Sequence, residues 1–151
     1  MVERIISPRL ADIIEAIERI GRVLDGIPLD SFEQDWEKRW LVERGIEIIS
    51  EASRHLSDDM KTRQAGIPWA KVAGIGNVLR HDYDQVAPDV LWKLARDDLP
   101  LLCQVCREEL AVALAREEDD RDANRVSGNM EPAGGPFAMR PLCGMARLPI
   151  P

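Results

Sequence analysis

Apolar residues recur at helical spacing along most of this chain. Leu10, Ile13, Ile14, Ile17, Ile20 and Leu24 form the first stripe. Ser7 is placed to cap that helix, and Pro8 suits its first position. Asp25-Gly26 and Pro28 end it. A second helix is predicted from "DSFEQ", where Ser31 and Gln34 have the spacing of a capping box. Its stripe of Trp36, Trp40, Leu41, Ile48, Ile49 and Ala52 reaches about Leu56. Gly45 lies inside that stripe and costs about 1 kcal/mol against alanine, so close packing is expected there. "SDDMKTRQAGIP" reads as a short helical turn and a loop. A third helix begins near Pro68, carries Trp69, Val72, Ile75, Val78 and Leu79, and runs into "RHDYD". Pro88 opens a short fourth helix. Asp98 is placed to cap the last one, with Pro100 in its first turn and Leu101, Leu102, Val105, Leu110 and Leu114 along it.

After Arg116 the pattern changes. "EEDDRDAN" is a charge run, and the remainder is rich in Gly and Pro without periodicity. Residues 118–151 are therefore expected to form a disordered tail. No segment alternates as a strand does, and no repeat is present. The predicted fold is all-α: a bundle of four to five helices over residues 1–117.

Composition narrows the classes. At 151 residues, 45% apolar and 31% charged, the chain fits one soluble domain with a single core. A formal net charge of −7 argues against nucleic-acid binding by bulk electrostatics but leaves room for a local basic site. No apolar run approaches the ~20 residues that span a bilayer. "MVERIISPRL" carries Glu3, Arg4 and Arg9 where a signal peptide needs an apolar core, so a cytoplasmic protein without a membrane partner is expected. Cys103, Cys106 and Cys143 imply no disulfide framework. Cys103 and Cys106 form a C-x-x-C without a second pair, which reads as small apolar packing rather than a zinc site. The "GIG" at 74–76 lacks a third glycine and follows no strand, so it is not read as a nucleotide loop. No metal or cofactor is expected. The four tryptophans fall on apolar stripes and are expected in the core. His55 is expected to be exposed at the end of the second helix, where it favours the helix dipole.

Candidate chemistry concentrates in "GNVLRHDY", residues 76–83. Asn77 and His81 are four apart and share a helix face, with Arg80 and Asp84 beside them. A histidine titrating near pH ~6.5 can act as acid or base, and a neighbouring guanidinium can hold a phosphate. The plain alternative is the solvated edge of an amphipathic helix.

Three segments in order, "WLVERGIEIISEASRHL", "IPWAKVAGIGNVLRHDYDQV" and "LWKLARDDLPLL", resemble the HepT-like toxins of the HEPN superfamily over residues 8 to 115. The resemblance implies a helical bundle that forms a homodimer, with the motif helices of two subunits meeting in a cleft. It implies the toxin of a type II toxin–antitoxin pair, encoded beside a minimal nucleotidyltransferase antitoxin, and metal-independent endoribonuclease activity on RNA. The family signature is an arginine, four to six residues, a histidine, one residue and a tyrosine. His81 and Tyr83 match its second half, and Asn77 matches the polar residue after the motif arginine. Gly76 stands where that arginine is expected. The nearest arginine, Arg80, is displaced by about 40° and one turn along the helix. The implied roles are acid–base catalysis for His81, phosphate binding for Arg80 and orientation for Asn77, with Tyr83 as the acceptor of AMP from the antitoxin. The departure at Gly76 keeps a second reading open: a HEPN module that binds the nucleotidyltransferase or a nucleotide without cutting RNA. A third is an unrelated helical adaptor that shares only the bundle pattern.

Overall fold

A computed structural model of the protein describes residues 5–81 and 86–127. Among these the structure is all-helical, with no strand. The first helix, α1, spans Ser7–Val23 and buries Leu10, Ile13, Ile17 and Ile20. Its N-cap is Ile6, with no side-chain cap, and Ser7 is the buried first residue of the helix. Ile6 packs on the core, so apolar burial rather than a hydroxyl sets this end. Gly26, at φ +66°, turns the chain away after Leu24. Arg96 donates to the carbonyls of Leu24 and Ile27, satisfying groups that the helix end leaves open.

The expected second helix is two helices, α2 (Leu29–Gln34) and α3 (Trp36–Arg54). The break falls at Asp35, whose backbone is extended at φ −100° and ψ 91°. Its carboxylate accepts from the backbone N–H of Lys38 at 3.1 Å and pairs with the Lys38 ammonium. Asp35 is thus the cap, and the Ser31/Gln34 capping box is not formed because both residues lie inside α2. Fully buried Phe32 pins α2 to the core.

The inward face of α3 is not the one that a stripe from Trp36 marks. Val42, Ile46 and Ile49 are buried. Trp40 lies about 160° round the helix from Val42, at ~100° per residue. Trp36 and Trp40 are accordingly 57% and 69% exposed, not core as expected, and stack edge-to-face at 5.5 Å. Trp69 and Trp92 do pack against the core. Gly45 behaves as expected: a methyl group built there would stand 2.7 Å from Ile20 Cδ1. α1 packs on α3 and on the last helix, and α3 packs on the helix Trp69–His81.

A short α4 (Asp58–Arg63), capped by Ser57, leads to α5 (Trp69–His81). Then α6 (Pro88–Lys93) passes through a π-helical turn, Leu94–Asp98, into α7 (Leu99–Ser127). Asp98 therefore caps nothing, because the chain never leaves the helix. A proline inside a helix lacks an N–H and clashes with the carbonyl four residues back, here Arg96, and the widened π turn just before Pro100 accommodates both defects. The charge run at 117–120 is a solvated helix carried on to Ser127, with Arg121 3.9 Å from Glu117, so helix extends past the expected boundary at 117. Residues 128–151 lie outside the described part. No helix among the described residues is long and apolar enough to cross a membrane.

Candidate active site

The site is carried by α5 and by the face of α3 beneath it. Buried Ser50 of α3 joins them. Its hydroxyl donates to the carbonyl of Ala73 at 2.8 Å and accepts from the N–H of Gly76 at 3.2 Å. Gly76 is buried here for a steric reason. A Cβ at this position would come 2.6 Å from Ser50 Oγ and 2.8 Å from Ser50 Cβ. The place where the signature arginine is expected is thus a point of close packing of the two helices around Ser50. Arg54, one turn further along α3, donates Nε and Nη2 to the same Ala73 carbonyl at 3.3 and 2.8 Å.

Outward from this contact, Asn77, Arg80 and His81 are all exposed on α5. Arg80 Nη2 donates to Asn77 Oδ1 at 2.9 Å, and the same nitrogen lies 3.7 Å from where a Gly76 Cβ would be. The Arg80 side chain therefore folds back over Gly76. His81 is the last residue of α5. Tyr83 and Asp84 lie outside the described residues. The structure joins Asn77 to Arg80 directly and sets His81 on the same stretch of helix. His55 is apart from this group: it ends α3 as expected, half-buried, with Nε2 3.2 Å from Glu51 Oε1.

Ser50 and Arg54 were not singled out from the sequence. The available signal was the pairing of a mid-helix glycine, Gly76, with a small polar residue interrupting the apolar stripe of α3. Of the C-x-x-C pair, Cys106 is fully buried and its thiol is pushed up to about 12, mainly by burial. It is a core residue.

These features define a class: a helical bundle presenting an arginine, an asparagine and a histidine on one exposed helix face. Residues 13–109 match the family model described as "Ribonuclease HepT-like". The chain belongs to the HepT-like ribonuclease family. It is 31% identical over 100 residues to a protein of Methanocaldococcus jannaschii whose name reads "Putative RNase", a match covering 66% of this chain and 92% of that one. It is 39% identical over 93 residues to the "Probable ribonuclease HepT" of Thermococcus cleftensis, covering 62% of this chain and 84% of that one. No solved structure matches it.

Proposed function

We propose that this protein is the ribonuclease toxin of a toxin–antitoxin pair and cuts RNA without a metal ion. The observation that carries the reading is the arginine set over Gly76. The signature arginine is missing from position 76, yet the Arg80 guanidinium lies against that position and is held there by Asn77. In the proposed reaction His81 takes the proton of a ribose 2′-hydroxyl as the 2′-oxygen attacks the adjacent phosphorus. The bond from phosphorus to the 5′-oxygen breaks, that oxygen takes a proton from water, and His81 returns its own proton to solvent. A cyclic phosphate remains on the upstream fragment. Arg80 stabilises the extra negative charge on the phosphate oxygens in the transition state. Asn77 orients Arg80.

Three side chains on one exposed face give a shallow site. A homodimer pairing two such faces along α5 would close it into a cleft with two-fold symmetry. Control is assigned to a minimal nucleotidyltransferase antitoxin that transfers AMP to Tyr83. A phosphodiester there would put negative charge beside the place the RNA phosphate must occupy. Co-expression with the neighbouring nucleotidyltransferase, followed by intact mass, should show an AMP-sized increment that disappears in Tyr83→Phe.

The test of the main reading is an RNA cleavage assay in EDTA. Wild-type protein should cut and His81→Ala should not. Gly76 itself favours a second reading, a HEPN module that has lost the arginine and keeps only partner or nucleotide binding. Absence of cleavage by pure wild-type protein, together with tight binding to the nucleotidyltransferase, would establish that alternative.

A further inference from the structure

We propose that Arg54 of α3 is a second phosphate-binding residue, holding the RNA strand one nucleotide away from the phosphate bound by Arg80. The inference rests on the ribonuclease reading above and adds a subsite to it. Three observations carry it.

The first is position. Ala73, Gly76, Asn77, Arg80 and His81 all fall within one sector of α5 about 140° wide, at ~100° per residue. Arg54 reaches over from α3 and lands on the Ala73 carbonyl, at the N-terminal end of that sector. Arg80 lies against Gly76, in the same sector. Both guanidiniums therefore flank the Ser50 side chain, roughly one helical turn (~5 Å) apart along α5. Two guanidiniums placed one after the other along α5 are arranged to meet successive phosphates of a single strand.

The second is preorganisation. Arg54 spends Nε and one side of Nη2 on a backbone carbonyl, and Ser50 donates to that same carbonyl. The planar head group is thus fixed, while the residue as a whole stays exposed. A guanidinium held in this way keeps its remaining N–H groups for an anion at little further entropic cost.

The third is charge. The chain carries a net −7, and many of its arginines are neutralised: Arg9, Arg19, Arg44, Arg63, Arg107 and Arg121 each pair with a carboxylate. Among the described residues neither Arg54 nor Arg80 has a carboxylate partner. The nearby Glu51 is engaged by His55. Two guanidiniums on one face, without a carboxylate partner among the described residues, form the local basic site that an acidic protein needs to hold RNA.

The experiment uses the full chain and two probes: a short single-stranded RNA, and the same oligonucleotide with 2′-deoxyribose, which cannot be cut. For R54Q the affinity for the uncut probe should fall about ten-fold or more at low salt. Its salt dependence should lose about one phosphate contact, a slope change of ~0.7 for a single strand. In cleavage, KM should rise with kcat much less affected, the reverse of R80Q. R54K keeps the charge and should restore the slope. R125Q, a surface charge removed at the end of α7, should change neither. Affinity and slope equal to wild type in R54Q would overturn the inference while leaving the ribonuclease reading intact. A fall in melting temperature with an unchanged slope would also overturn it, making Arg54 a helix-packing residue only. If wild-type protein binds the uncut probe but does not cut RNA, the ribonuclease reading falls and the binding arm still decides on Arg54.

Discussion

Ser50 and Gly76 are the pair on which the site's geometry turns. A methyl group at Gly76 would be forced into Ser50 Oγ and Cβ, neither at the far end of a flexible side chain. Gly76→Ala should therefore destabilise the fold by about 1–3 kcal/mol, the usual range for overpacking. Urea titration would measure it, and Ser50→Gly in the same chain should recover much of the loss as a coupling term. It follows that Gly76→Arg, which rebuilds the family signature, should lower stability rather than raise activity. In the proposed catalytic group, His81→Ala should abolish RNA cleavage while His55→Ala leaves it nearly intact. Arg80→Ala should cost about 10²-fold in kcat, by analogy with removal of one transition-state donor. A neutral Arg80→Ala would remove the proposed substitution for the missing arginine.

At the scale of elements, the caps and breaks decide what each helix presents. Asp35→Ala removes a backbone hydrogen bond and the pairing with Lys38 at the start of α3. It should lower stability modestly, as loss of an N-cap does, seen as a lower midpoint in urea. The start of α3 shows how far the elements were legible in the sequence. The core stripe of α1, the close packing at Gly45 and the helical identity of the core segments followed from periodicity, whereas the helix over 118–127, a charge run without an apolar stripe, did not. The outward turn of Trp36 and Trp40 did not, because they lie about 140° and 180° round α3 from Ile49 at ~100° per residue, so a stripe drawn through all three is not one helix face. The capping box and Asp35 compete for the same N-terminal role three to four residues apart, and local pattern does not rank them. The fusion of α6 with α7 was hidden for a similar reason. Proline ordinarily signals a boundary, and only a π turn lets it stay inside. Within the site, Asn77, Arg80 and His81 were legible as one face of α5, whereas Ser50 and Arg54 belong to another helix and became relevant only through the α3–α5 crossing.

For the molecule as a whole, α4 is tied to α7 through Glu109. This buried carboxylate accepts from Arg63 at 2.8 Å and from Gln64 at 2.9 Å. Burial pushes its acid up, but the hydrogen bonds from Arg63 and Gln64 outweigh that and hold it below the ordinary 4.5. Its stabilising contribution is therefore complete above the unfolded value and is lost as pH falls through the lower folded value. Melting temperature should drop on acidification below about pH 4.5. In Glu109→Gln the acid-dependent part of that drop should shrink, with some stability already lost at neutral pH. An unchanged acid profile in the variant would assign the pH dependence to other carboxylates. Beyond Ala113 the helix α7 is exposed apart from half-buried Glu117. Deleting residues 121–151 should accordingly move the melting temperature by no more than a few degrees.

That free length of α7 has a hydrodynamic consequence. Its 29 residues make a rod of ~43 Å, against ~28 Å for the 19 residues of α3 beside which the bundle is built. A rod projecting from a compact body raises the frictional ratio, so a single chain will sediment slowly and elute early from a sizing column. An elution volume read against spherical standards would then report a dimer where there is only a monomer, and mass from light scattering, which does not depend on shape, is the measurement that counts the chains.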